Sequence, residues 1–175
     1  MLNKAIKLCP NCGSDALEYD GVKKYYCPVC SWQFYQNTAA AVAGIIEYDG
    51  KVLVVERNRE PDKGLLDFPG GFVDAMETAE DALRREIKEE LNIDAGELSY
   101  LCTAPNLYTY KGIEYSTCDI FYIVKVNSDN FLIDKSEIAA CIWLEKQNLN
   151  PERFAFLSMK EAIHIYKNLS LNNES

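Results

Sequence analysis

Three glutamates, Glu86, Glu89 and Glu90, sit together in the string EIKEELN. On an α-helix they fall within an arc of about 100°. Like charges four residues apart cost a few tenths of a kcal/mol in a bare helix. They also crowd toward the negative end of the helix dipole. Stability alone would not choose this arrangement. A hard divalent cation would, because Mg²⁺ and Mn²⁺ are held by clustered carboxylate oxygens. Taken alone, the string reads more readily as a solvated acidic face softened by Arg84 and Lys88, and the residues around it must decide.

A second chemical signal lies near the N-terminus. Cys9 and Cys12 form one CxxC pair, and Cys27 and Cys30 form another after a gap of 14 residues. This is the spacing of a four-cysteine zinc ribbon. Each tight pair brings two thiolates to one metal, and two pairs complete a tetrahedron. Four thiolates leave no open position, so the expected Zn²⁺ is structural. Metal binding would supply the folding energy that so short a segment cannot obtain by burial. A redox CxxC and a lost metal site are the competing readings.

These residues need a scaffold, and the chain spells one out. Val42 to Tyr48 and Lys51 to Arg57 read as a β-hairpin about the turn Asp49-Gly50. Residues 78–91 read as a helix, with Thr78 and Asp81 as a capping-box variant and Asn92 at the left-handed C-cap. Strands are expected near 97–109 and 114–126, around Lys111-Gly112, and again near 138–144. Ser158 and Glu161 resemble a second capping box opening a final helix. The tail 171–175 reads as disordered. The order strand, strand, helix, strands, helix is that of an α+β domain with its mixed sheet between helices. The expected division is a zinc ribbon over 1–35, a main domain over 36–170, and the tail.

The segment GGFVDAMETAEDALRREIKEELNI resembles the Nudix box at Gly71, Glu77, Arg85-Glu86, Ile87, Glu89-Glu90 and Ile93. Asn92 stands where that pattern ends in Gly. The resemblance implies an α/β/α sandwich and metal-dependent hydrolysis of a diphosphate linkage in a nucleoside diphosphate derivative, such as NADH or an ADP-ribose-like compound. It makes Glu86, Glu89 and Glu90 the Mg²⁺ or Mn²⁺ ligands, with the carbonyl of Gly70 as a further one. Glu77 and Arg85 would pair to hold the loop. Glu86, Glu89 and Glu137 form the catalytic set, with the general base drawn from Glu86 or the later loop residue Glu137.

A ribbon ahead of such a domain is similar to the arrangement in NADH pyrophosphatases. Those enzymes carry a serine-, proline- and tryptophan-rich motif where this chain has LSYLCTAPNLYTYKG. Arg57 and Arg59 could contact phosphate bidentately or be ordinary surface charge. Tyr110, like Tyr108, could stack on a base or simply pack in a strand. Cys102, Cys118 and Cys141 read as small buried apolar residues.

The composition bounds the partners. The chain has 175 residues, 48% hydrophobic and 26% charged, with net charge −9. Such acidity repels free nucleic acid and favours a cation-assisted nucleotide site over a passive nucleic-acid binder. A capped RNA end stays open as substrate. So does a nucleotide-sensing or nucleic-acid-binding regulator, with ribbon aromatics such as Tyr26, Trp32 and Tyr35 on bases. The N-terminus lacks an apolar signal core, so a cytoplasmic, membrane-free location with reduced thiols is expected. A homodimer built through the ribbon is the remaining partner expectation.

Overall fold

The computed structural model describes residues 6–171. The chain forms two compact units: the segment up to Thr38 with Leu107–Ser116, and Ala39–Asn106 with the chain from Thr117 onward. No described helix is long and apolar enough to cross a membrane.

The first unit carries a small antiparallel sheet of β1 (Glu18–Tyr19), β2 (Lys24–Tyr26) and β3 (Gln33–Tyr35). Asp20 fixes the β1–β2 turn by accepting the N–H groups of Val22, Lys23 and Lys24 at 2.7, 2.8 and 3.0 Å. Those donors hold its carboxyl below the usual range. Tyr25 is the buried centre, with the rings of Tyr19 and Phe34 at 4.6 and 6.3 Å. One tyrosine is too little core for a segment of this size, which leaves the cysteines to supply the rest.

The second unit opens with the expected hairpin, β4 (Ala39–Tyr48) and β5 (Lys51–Arg57). Asp49 and Gly50 both take positive φ, 48° and 74°, as a two-residue hairpin turn requires. Two short strands follow, β6 (Leu66–Asp67) against β5 and β7 (Gly70–Phe72) against β4. Helix α1 spans Ala79–Leu91. Strands β8 (Leu98–Tyr110) and β9 (Ile113–Lys125) run out to the hairpin end 107–116 and back, and β10 (Ile138–Glu145) and helix α2 (Leu157–Leu171) complete the chain. The strand order is β10-β5-β4-β9-β8, with β4 and β9 parallel and β5 antiparallel to both its neighbours.

Alternation along the sheet assigns its two faces. Val42, Ile46, Leu53 and Val55 meet Leu83, Ile87 and Leu91 of α1 in one buried cluster. Gly44 lies on this face because a Cβ there would sit 3.1 Å from Val124 and 3.3 Å from Leu83. On the other face, Glu47 accepts a hydrogen bond from Tyr166 of α2. Full burial of each large aliphatic residue of α1 contributes about 1.5–3 kcal/mol. The architecture is therefore the expected α+β sandwich with a mixed sheet between helices.

Helix α1 ends as its sequence dictates. Thr78 accepts the N–H of Asp81 at 3.1 Å, and Asn92 is left-handed at φ 55°. The second expected cap fails. Helix α2 starts at Leu157, so Ser158 lies inside it, fully buried, and its hydroxyl donates to Asp119 of β9. Asp119 also accepts from Thr117 at 2.6 Å. A buried carboxylate outcompetes a helix terminus for a hydroxyl donor. Cys102 is buried as expected, whereas Cys118 is exposed and Cys141 half-buried. Leu171 is still helical, and the rest of the expected tail lies outside the described residues.

Candidate active site

The site starts where β7 leaves the sheet. Gly70 packs so tightly on β4 that a Cβ would sit 2.1 Å from the carbonyl oxygen of Val42. At Gly71 a Cβ would sit 2.4 Å from Oε1 of Glu86. The two glycines thus let the chain pass between the central strand and the helix that carries the carboxylates. The N–H of Gly70 donates to Oε2 of Glu90 at 3.1 Å.

Arg85 braces the loop between β7 and α1. Its Nε and Nη2 fork onto the two oxygens of Glu77 at 3.0 and 2.9 Å, and Nη2 also reaches the carbonyl of Phe72 at 3.1 Å. This bidentate geometry fixes both groups. It holds the Glu77 carboxyl below its usual range and raises the Arg85 guanidinium, with Glu77 the larger cause and Glu86 the next. Nη1 donates to Glu86 at 2.7 Å and to Glu89 at 3.3 Å.

The three carboxylates are therefore not equivalent. Glu89 is exposed, and Glu86 is half-buried against Arg85. Burial raises the Glu86 carboxyl, Arg85 opposes this, and Glu89 and Glu137 raise it further. Glu90 is only 7% exposed. Burial pushes its carboxyl well above the ordinary value, with Asp67 and Glu86 adding repulsion. Among the described residues it accepts one hydrogen bond, from Gly70, and has no basic partner. A buried carboxylate so placed needs a proton or a cation. The donor set, hard oxygens on one face beside a glycine backbone, fits Mg²⁺ or Mn²⁺. These carboxylates are nevertheless not drawn into a tight knot: among the described residues, the only group of three or more such ligands with all atoms within 4.8 Å of one another is the four cysteines.

A small open cleft adjoins Glu90. Gly70, Glu137, Arg57, Arg59 and Asp67 line it with Glu90. Glu137 is thus brought to the carboxylate site, and Arg59 pairs with it at 2.8 Å. Arg57 is not the surface charge that its sequence context allowed. It is 8% exposed, its Nε donates to the Pro61 carbonyl at 2.9 Å, and its Nη1 pairs with buried Asp67. The guanidinium carbon lies 4.9 Å from the centre of the Phe156 ring. Burial lifts the Asp67 carboxyl to about 6 despite Arg57. Asp67 was missed from sequence. Its one signal was an acidic residue inside the apolar run LLDFPGG, which only the pairing of Val55 with Asp67 turns toward Arg57.

In the first unit, the Sγ atoms of Cys9 and Cys30, and those of Cys12 and Cys27, are 3.7 Å apart. Thiolates at about 2.3 Å from a tetrahedral Zn²⁺ would be about 3.8 Å apart. The two knuckles share one pattern: Gly13 donates to Cys9 and Ser31 to Cys27, each at 2.8 Å and each with positive φ. Asn11 donates to Cys30 at 3.4 Å. Tyr110 lies on the hairpin end that belongs to this unit, stacked with Tyr108 at 6.5 Å and with the ammonium of Lys111 at 5.1 Å.

Sheet, glycine passage, arginine brace and carboxylate helix define the class: an α+β domain that presents hard oxygen ligands beside a polar cleft. The chain belongs to the NUDIX domain family, whose model matches residues 36–164. It is 48% identical over 62 residues to an ADP-ribose pyrophosphatase of Methanocaldococcus jannaschii, covering 35% of this chain and 37% of that protein. It is 26% identical over 152 residues to the NAD-capped RNA hydrolase NUDT12 of Homo sapiens, covering 82% of this chain and 32% of that protein. The matches thus span only about a third of these relatives' own length. Among solved structures, a NUDIX hydrolase from Nitrosomonas europaea superposes with a TM-score of 0.71 at 24% identity, covering 93% of this chain and 91% of that one.

Proposed function

We propose that this chain hydrolyses the diphosphate linkage of a nucleoside diphosphate derivative of the ADP-ribose or NAD type, free or as an RNA cap. Glu86, Glu89 and Glu90, with the Gly70 carbonyl, would hold Mg²⁺ or Mn²⁺, and the four cysteines a structural Zn²⁺. Glu90 carries the reading: a buried carboxylate with no basic partner among the described residues, bonded to the glycine that opens the box. The printed names of the relatives, an ADP-ribose pyrophosphatase and NAD-capped RNA hydrolases, support the substrate class. So does a fold neighbour, the NUDIX domain of Shewanella oneidensis NrtR complexed with ADP ribose.

When bound, the divalent cation supplies charge neutralisation of the diphosphate and Lewis acidity at a phosphoryl oxygen. The chain's own residues do the rest. Arg85 holds Glu86 and the Glu77 loop in register. Glu86 or Glu137 takes the proton of the attacking water. The test is phosphate-product release from ADP-ribose, NAD⁺, NADH, an NAD-capped RNA, dinucleoside polyphosphates and nucleoside triphosphates, each with Mg²⁺, Mn²⁺ or chelator. Metal-dependent turnover of an ADP-ribose or NAD derivative is expected. No turnover across the panel by folded, zinc-loaded protein would refute the proposal.

A further inference from the structure

The turn that leads into β10 is tied to the end of α1 on one side and to the end of β5 on the other. Leu132 and Asp134 donate their N–H groups to the carbonyls of Leu91 and Glu90, each at 2.9 Å. A helix cannot satisfy its own last carbonyls, so the turn completes the helix that carries the proposed metal ligands. The turn also closes on itself. The Asp134 carbonyl accepts from Glu137 and Ile138 at 3.1 and 2.9 Å, and its side chain accepts from the N–H and hydroxyl of Ser136 at 2.8 and 2.7 Å. Asn58, directly after β5, then holds it twice. Its N–H donates to the Glu137 carbonyl at 2.8 Å, and its Nδ2 donates to the Lys135 carbonyl at 2.7 Å. Both bonds lie beyond Ile138–Arg57, the last pair of the β10–β5 ladder. The register of that ladder shifts between Ile138 and Ala140, and bulges of this kind commonly re-aim a side chain beside a site.

We propose that Asn58 is a positioning residue, whose side-chain amide acts through the Lys135 carbonyl to hold the Glu137 carboxylate where it takes the proton of the attacking water. The inference rests on the hydrolase reading above and selects Glu137 over Glu86 as the base within it. Glu86 is engaged by Arg85 at 2.7 Å and is one of the proposed metal ligands. Glu137 lines the same cleft as Gly70 and Glu90 without being a proposed ligand. A general base must stand within about 2.6–3.2 Å of the group it deprotonates. The ion pair with Arg59 cannot fix that distance, because the Arg59 side chain is 49% exposed and such pairs are weak. The main chain of the turn must therefore set it. The bonds from main-chain N–H groups are open to any residue but proline. The bond to Lys135 requires a short side-chain donor at position 58.

The experiment measures kcat and KM on the full-length, zinc-loaded protein with Mg²⁺, for the compound of the panel above that is turned over fastest, expected to be ADP-ribose. Wild type, Asn58→Ala, Glu137→Gln and the double variant are compared. Asn58→Ala should lower kcat by about 10-fold or more and leave KM within about twofold, because it displaces the base and no proposed substrate contact. Glu137→Gln should lower kcat at least as far. Adding Asn58→Ala to it should then change kcat by less than about twofold, since two residues that act as a unit are not additive. Asn58→Asp keeps the size and lacks the Nδ2 donor. It should match Asn58→Ala, and it decides by the same cycle if the alanine variant does not fold. An equal fall of kcat in both backgrounds would make Asn58 a general structural residue and overturns the proposal. Wild-type kcat in Asn58→Ala or in Glu137→Gln overturns it too. No turnover of any panel compound by the wild type refutes the hydrolase reading itself, whereas an active wild type with additive variants refutes the positioning role alone.

Discussion

The tightest geometric test of the site is Gly71→Ala. A Cβ built on Gly71 lies 2.4 Å from Oε1, 2.5 Å from Cδ and 2.8 Å from Oε2 of Glu86. Ordinary contact begins near 3.4 Å, so the carboxylate must retreat by about 1 Å. Gly71 is not among the glycines with positive φ, so alanine fits the backbone there. The obstacle is the end of a flexible side chain, which can rotate away, but only by loosening its 2.7 Å bond to Arg85. A misplacement of about 1 Å in a catalytic constellation can cost on the order of 100-fold in rate. That equals about 2.7 kcal/mol of barrier.

Gly71→Ala should therefore lower kcat/KM for ADP-ribose with Mg²⁺ by about two orders of magnitude, while the melting temperature stays near wild type. Gly70→Ala is the contrast. Its Cβ would meet backbone, 2.1 Å from the Val42 carbonyl and 2.8 Å from the Ala43 Cα, so the β4–β7 pairing must open and the melting temperature must fall. Wild-type turnover by folded Gly71→Ala would refute the claim that the position of Glu86 against the glycine turn sets activity.

Glu89→Gln and Glu90→Gln should each abolish most turnover while circular dichroism stays unchanged. A normally folded, active double variant would remove these carboxylates from the site. Cys27→Ser should release zinc, measured by atomic absorption, and make the N-terminal unit sensitive to protease. Unchanged metal content would rule out the four-thiolate centre. The Asp67 carboxyl rises from 3.8 to about 6 on folding, so between those values the folded state holds a proton that the unfolded chain has released. Its contribution to stability is full below 3.8 and is lost as pH rises through about 6, on the order of 3 kcal/mol in all. Denaturant melts of chelated protein at pH 4 and pH 7 should show this component in the wild type and lack it in Asp67→Asn. An identical pH dependence in both would remove Asp67 as its source.

The sequence revealed whatever is local. The Asp49-Gly50 turn, the Thr78 and Asn92 caps and the cysteine knuckles depend on residues a few positions apart, and all are found where their chemistry demands. Helical spacing likewise put Glu86, Glu89 and Glu90 on one face, and the family resemblance supplied the Glu77–Arg85 pair that the structure shows as a fork. What stayed hidden depends on long-range pairing. Ser158 has the spacing of a cap, but β9 brings a buried carboxylate to it from 39 residues away. Arg57 ends a strand in polar company, and nothing nearby marks it as buried.

Only the short strand β6 explains Arg57. Pairing Val55 with Asp67 and Glu56 with Leu66 carries an acid back along β5, ten residues after the arginine. A lone buried arginine would be strongly destabilising, and so would a lone buried aspartate. Each is tolerated through the other, and hydrophobic side chains of similar size would serve stability as well or better. Both residues line the cleft that also holds Glu90, Gly70 and Glu137. Stability selects against such an arrangement, as it does against three glutamates on one helical face. The same physical argument therefore joins the helix carboxylates to the buried pair: in both places the chain keeps polar groups that pack poorly in the free protein.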